Sequence, residues 1–307
     1  MVTNINPVLK QLGLAETDKA VVFHADDIGV LNASVTAWSD LAASSPMTAA
    51  SVMTPCPWFP SAAIEIAKHK DADVGVHMTL NSEWNAMRWR PISTSDPASG
   101  LFDEEGYSPR DTESVQKNAS SDAVAAELHA QMDRALAAGI DVTHIDTHMG
   151  ALFHSRFLET YVRVGFAYQV PAFAIRADQE TLIKRGYAKL EASQISSALK
   201  FIEAQGMPMF DSVTLLPLRD SQSLEERKIV GKEILESYGP GLHYFIFHPA
   251  VATPELQAVA PDWAARNADY ELFMDDDWPK IIQEAGVIPV TCRQLRDVFR
   301  KNISERS

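Results

Sequence analysis

Short apolar, β-branched runs alternate along the chain with longer segments whose apolar positions recur every three or four residues. The runs read as strands: AVVFHAD (20–26), TAASVMT (48–54), DVGVHMTL (73–80), VTHIDTHM (142–149), AFAIRA (172–177), SVTLLPL (212–218), HYFIFHP (243–249) and GVIPVT (286–291). Between them, DAVAAELHAQMDRALAAG (122–139) reads as a helix ending at Gly139, and LEERKIVGKEILESYG (224–239) behaves alike. Eight strands alternating with helices predict an α/β chain closed into a parallel (β/α) barrel. The alternative, an open doubly wound sheet, calls for a glycine-rich phosphate turn after the first strand, and HADDIGVLN is not one. Residues 20–307 are expected to form the barrel domain and residues 1–19 a helical extension ahead of it. The polar, Pro- and Gly-containing stretch at about 84–120 is expected to be a long loop excursion from the barrel top.

Ionisable residues gather at the C-terminal ends of these runs. Asp26 and Asp27 end the first, and His77 lies near the end of the third. His144, Asp146 and His148 line the fourth, and Arg176 ends the fifth. Arg219 follows the sixth, His248 ends the seventh and Arg293 follows the eighth. In a barrel these ends open onto one face, where such folds keep their chemistry. Alternate strand residues share a side, so His144, Asp146 and His148 point one way, with Ile145 and Thr147 opposite. Three polar groups on one buried side are costly unless hydrogen-bonded or metal-bound. Gly75 shares a side with His77 and leaves room there for a neighbouring group. Two imidazoles and a carboxylate drawn from three strands would make a mixed nitrogen–oxygen site for a divalent ion, with positions left open.

The formal net charge of −14 argues against nucleic acid or an anionic membrane as partner and leaves a neutral or cationic small molecule. Cys56 and Cys292 lie far apart with no CxxC spacing, and read as reduced core residues of a cytoplasmic protein. The first twenty residues carry charges within their apolar pattern, unlike a signal peptide or a membrane span.

HADDIG, GVHMTL, THIDTHM and FHPA, in this order and with RNADYE following, resemble the motifs of the YdjC-like carbohydrate deacetylases, which are related in mechanism to the NodB-type polysaccharide deacetylases. The resemblance spans about residues 20–300. It implies a distorted TIM-like barrel and one divalent metal ion, Zn²⁺ or Mg²⁺. The reaction it implies is hydrolysis of an N-acetyl group from an acetylated amino sugar, and a homodimer is compatible with it. Carried over position by position, Asp27, His77 and His148 match the metal ligands, Asp26 the catalytic base, and His248 the general acid. Arg266 and Glu271 of RNADYE match as orienting or structural residues.

His144 and Asp146 are expected behind the ligands, either fixing an imidazole or paired with each other beneath the site. Glu83, Trp84, Arg88 and Trp89 follow the His77 strand, where the tryptophans and Arg88 could form a platform and clamp for a sugar ring or pack the loop. Arg176 is a further candidate for substrate contact. The aspartate pair is preceded by His24-Ala25 and followed by Ile28, where Asn-Ala and Phe are more usual in the family. These departures alter the pocket wall and leave the three ligands intact. Two other functions fit the same residues: metal-dependent hydrolysis of another small amide or ester, and glycan binding without catalysis. Sugar isomerisation would call for more carboxylates than the strand ends offer.

Overall fold

The computed structural model describes residues 5–184, 186–218 and 223–306. Its strands are β1 (Lys19–Ile28), β2 (Ala49–Val52), β3 (Val74–Met78), β4 (Val142–Thr147), β5 (Ser212–Leu215), β6 (Gly241–Phe247) and β7 (Val287–Pro289). They form a seven-stranded sheet in the order β4-β3-β2-β1-β6-β5, with β7 attached to β1. Every pairing is parallel, as the alternation of strands and helices predicts.

β1 is the spine. It runs beside β6 from Lys19↔Gly241 to Ala25↔Phe247. On its other edge β7 takes Lys19 to Val21, while β2 takes His24 to Ile28. Ten residues of β1 are long enough to seat two short strands end to end. From Ala20 onward β1 is buried at every position, as expected of a strand covered on both sides. Outside it, Phe23 and Phe245 pack on Phe273 of the helix Trp263–Met274, and Trp278 packs against Phe245 and Phe273.

The expected fifth strand, 172–177, is not a strand. It contributes two single bridges, Ala172 to Ile145 and Ile175 to Phe210, which span the gap between β4 and β5. Pro171 has no N–H to donate to a ladder at the start of this segment. The described strands therefore number seven, and no continuous ladder closes the sheet. Arg219, expected after the sixth strand, lies outside the described residues.

Two features shape the top of the sheet. The register of β1 against β2 shifts between Ala25 and Ile28, and Asp27 within that shift has φ 64°. A bulge with a left-handed residue turns consecutive side chains to one side, which is why Asp26 and Asp27 both reach the interior. The excursion after β3 is held by buried charge. Glu127, fully buried on the helix Ser121–Ala137, accepts from the backbone N–H groups of Ile92 and Ser93. Arg88 pairs with Asp103 at 2.5 Å and Glu105 at 2.8 Å and donates to the Ser108 carbonyl. The end of the excursion is helical, Thr112–Asn118.

Candidate functional site

A cavity of about 820 Å³ opens at the C-terminal ends of the strands. Asp26, Asp27, His77, Asp146, His148 and His248 all line it. Its lining also includes the polar Glu83, Asp262 and Arg266 and the apolar Phe153, Phe173, Leu215 and Ile246.

Three donor atoms converge on its floor. Asp27 Oδ1 stands 3.3 Å from His77 Nε2 and 3.2 Å from His148 Nδ1, and the two nitrogens are 3.3 Å apart. Such separations suit neighbouring ligands of one ion with bonds of about 2.0–2.2 Å. Asp27 Oδ1 is buried without a hydrogen-bond partner, which is costly for a carboxylate oxygen unless a cation takes its lone pairs. The other atoms of the three residues are already engaged. Asp27 Oδ2 accepts from Arg266 Nη1 at 2.8 Å, His77 Nδ1 is 2.8 Å from Asp146 Oδ1, and His148 Nε2 is 3.0 Å from Glu83 Oε2. Each residue thus turns one free donor atom to a common point. The site fits a divalent metal ion.

Electrostatics agree with that reading. Burial alone would raise the Asp27 carboxyl, but His148 and Arg266 outweigh it and hold it well below the usual carboxylate range. Burial would lower both imidazoles, yet Asp146 and Asp26 raise His77, and Glu83 and Asp27 push His148 up to about 9. A cluster that holds protons this firmly without an ion is one where positive charge is wanted.

Asp26 and His248 flank the cluster. Asp26 Oδ1 is tied to His24 Nδ1 at 2.6 Å. Its Oδ2 faces the cavity, 3.9 Å from His77 Nε2 and 3.8 Å from His248 Nε2. His248 follows β6; its backbone N–H donates to Asp269 Oδ2 at 2.8 Å, and its Nδ1 is buried without a partner. Burial lowers the His248 pKa below that of a free imidazole.

His144 and Asp146 are both buried. They are not partners of each other. Asp146 receives His77 and the Ser51 hydroxyl, whereas His144 meets His24. Gly75 does make room for a neighbour, and that neighbour is the His144 ring: a Cβ there would lie 2.6 Å from its Cε1 and Nε2.

Several expected contacts go elsewhere. Trp84 lines the cavity with the Arg266 guanidinium 5.2 Å over its ring, but Trp89 sits behind it, bonded through Nε1 to the Asn81 carbonyl. Arg88 is consumed in organising the excursion and does not line the cavity. Arg176 pairs with Glu203 and Asp211. Asp211 accepts from Leu242 at the start of β6, so Arg176 belongs to the opposite end of the sheet. Glu271 is exposed on the outer side of its helix, accepting from Asn267. The acid of that helix facing inward is Asp269, fully buried against Arg227 at 2.8 Å. Asp269 lies three positions beyond Arg266 and shares its side of the helix; Glu271, five positions beyond, does not. His24, Ser51, Asp269 and Arg227 are the residues that motif reasoning missed.

The model of the family described as YdjC-like protein matches residues 20–284. A carbohydrate deacetylase of Thermus thermophilus is 31% identical over 95% of this chain and 99% of its own length. A carbohydrate deacetylase of Thermoanaerobacter pseudethanolicus is 23% identical over 71% of this chain and 76% of its own. The fold is also that of a crystal structure from Enterococcus faecalis, of a protein designated a candidate cellobiose-phosphate cleavage protein. That chain superposes with a TM-score of 0.72 at 19% identity, covering 91% of this chain and 99% of its own.

Proposed function

The chain belongs to the YdjC-like family, and from that premise we propose that it is a divalent-metal-dependent hydrolase that removes an N-acetyl group from an acetylated amino sugar or short oligosaccharide. The observation that carries the reading is the convergence of Asp27 Oδ1, His77 Nε2 and His148 Nδ1 in one cavity with Asp26 and His248. Two relatives named carbohydrate deacetylases support the choice of bond.

Asp27, His77 and His148 would hold the ion, Zn²⁺ or Mg²⁺, the imidazoles favouring zinc or another transition metal. Bound there, a divalent ion supplies Lewis acidity for activating water and polarising a carbonyl. Asp26 Oδ2, facing the cavity, takes the proton of the attacking water as general base. The water oxygen bonds to the acetyl carbon and the carbon–nitrogen bond breaks. His248 Nε2, 3.8 Å from Asp26 Oδ2, takes up the proton that Asp26 removed from the water and passes it to the departing amine, so acetate and the free amino sugar leave. Asp146 and Glu83 hold the outer nitrogens of His77 and His148, and Arg266 fixes Asp27 while covering Trp84. Trp84 lines the cavity but is 5% exposed beneath Arg266, so it meets a sugar along only a small part of its indole.

The apolar lining of Phe153, Phe173, Leu215 and Ile246 favours a second reading, hydrolysis of another small amide or ester with a larger apolar group. Acetate release from N-acetylglucosamine and short chitin oligomers tests the first. The protein is given Mg²⁺, Zn²⁺ or Co²⁺ in turn, with a chelator and His148→Ala as controls. Metal-dependent acetate that vanishes in the variant is the expected result. Faster cleavage of longer N-acyl groups or esters in the same panel would establish the second reading. Absence of bound metal from both proteins would overturn both.

A further inference from the structure

The inner side of the sheet beneath Asp27, His77 and His148 carries a run of buried, hydrogen-bonded polar groups, where a purely structural core would be apolar. His24, fully buried in the middle of β1, places Nδ1 2.6 Å from Asp26 Oδ1 and Nε2 2.7 Å from His144 Nε2. His144 Nδ1 is 2.9 Å from Thr143 Oγ1, and that hydroxyl also bonds Asp73 Oδ1. Asp73 precedes β3, at the opposite end of the sheet from the cavity, and its Oδ2 accepts from the Arg293 backbone N–H at 2.6 Å. Tyr244 stacks on His24 with ring centroids 4.8 Å apart, and Gly75 leaves the space that His144 occupies.

We propose that His24 is a positioning residue for Asp26, held by a line of hydrogen bonds through His144, Thr143 and Asp73 that spans the sheet interior from the cavity to its far end. The inference rests on the reading of Asp26 as the base. A second metal among His24, His144 and Asp146 is the rival explanation of this cluster. It fails on distance: nitrogen ligands of one ion with bonds near 2.0–2.1 Å stand roughly 3 Å or more apart, while these nitrogens are at 2.7 Å.

Only one proton fits between the two Nε2 atoms, so the protons along the line are correlated. If Asp73 is protonated it donates to Thr143, Thr143 donates to His144 Nδ1, and His144 donates to His24. If Asp73 is ionised every one of these bonds reverses, and His24 carries both ring protons. The two arrangements contain the same number of protons and satisfy every partner. In both, with Asp26 ionised as a general base must be, His24 Nδ1–H donates to Asp26 Oδ1. Asp26 Oδ2 is therefore the oxygen kept towards His77 and His248, and the carboxylate cannot rotate without breaking the bond to His24.

The test is made on the full chain labelled with ¹⁵N-histidine. Two-bond proton–nitrogen spectra separate Nδ1–H from Nε2–H, and of the nine histidines the one lost in His24→Asn is His24. A proton on His24 Nδ1, shifted downfield by its bond to a carboxylate, is expected; an unprotonated Nδ1 overturns the proposal. In the acetate assay, His24→Ala is expected to lower kcat about 10- to 100-fold with KM and bound metal little changed. His24→Asn, whose amide N–H falls where Nδ1–H was, is expected to restore most of the rate. Unchanged kcat in His24→Ala, or loss of the metal with the rate, overturns the proposal. If His24→Ala does not fold, the spectrum and His24→Asn still decide. If the wild-type protein releases no acetate, the proposed reaction fails separately, and the spectrum still decides whether His24 holds Asp26.

Discussion

Asp146 Oδ1 stands 2.8 Å from His77 Nδ1, so the bond between them sets which nitrogen of His77 faces Asp27 and His148. The Ser51 hydroxyl donates to the other Asp146 oxygen at 3.0 Å, which stops the carboxylate from turning away. His77 is thus oriented by a residue outside the group Asp27, His77 and His148. Replacing Asp146 by Ala should leave the three ligands in place but weaken metal binding about 10- to 100-fold. Titration of metal-free protein with Zn²⁺ measures it, and wild-type affinity in the variant would show that His77 needs no such partner.

At the proposed metal site protons would compete with the ion. In the ion-free chain burial opposes the charge on His148, yet Glu83 and Asp27 raise it from 6.5 to about 9, and His77 is raised as well. A raised folded-state pKa stabilises in full below the unfolded value and is lost as pH climbs through the folded value. Without metal, the melting temperature should therefore fall between about pH 6.5 and 9 through this contribution. Metal affinity should rise across the same window, and binding should release protons. Calorimetry in two buffers of different ionisation enthalpy counts those protons; zero release at pH 7 would contradict the assignment of His148 as a ligand.

Arg227 and Asp269 form an ion pair with no exposure on either side chain. Asp269 Oδ2 also holds the backbone of His248 at 2.8 Å. Truncating Asp269 to Ala leaves the buried Arg227 guanidinium bonded to backbone carbonyls but without its carboxylate, and should cost about 3–5 kcal/mol of stability. Urea unfolding reads that loss. Because His248 then loses its backbone anchor, acetate release should fall more than metal content does.

Gly75→Ala places a methyl group 2.5 Å from the His144 carbonyl oxygen and 2.6 Å from its ring. Neither backbone nor a doubly bonded imidazole can move freely, so a loss of about 1–3 kcal/mol is expected. A thermal melt unchanged from wild type would mean that His144 is not packed against Gly75.

Much of the cavity's polar lining was legible in the sequence because its residues sit at strand ends. The apolar runs place Asp26, Asp27, His77 and His248 at one edge of the sheet, and alternation places His144 and Asp146 on its inner side. Those inferences need only the two-residue period of a strand, which is local. The parallel α/β class followed from the alternation of elements in the same way.

What tertiary structure decided was which polar atoms meet. The shifted register at Asp26 and Asp27, the replacement of a strand at 172–177 by two bridges, and the seating of β2 and β7 on one edge of β1 depend on pairings between segments distant in sequence. The same holds for side chains: Arg88 turned to Asp103, Arg176 to Glu203 and Asp211, and Asp269 rather than Glu271 came inward. A sequence states that a residue is charged and roughly which way it points. Whether its charge is spent on substrate, on metal or on a neighbour depends on distances of a few ångströms, and only the packed chain sets them.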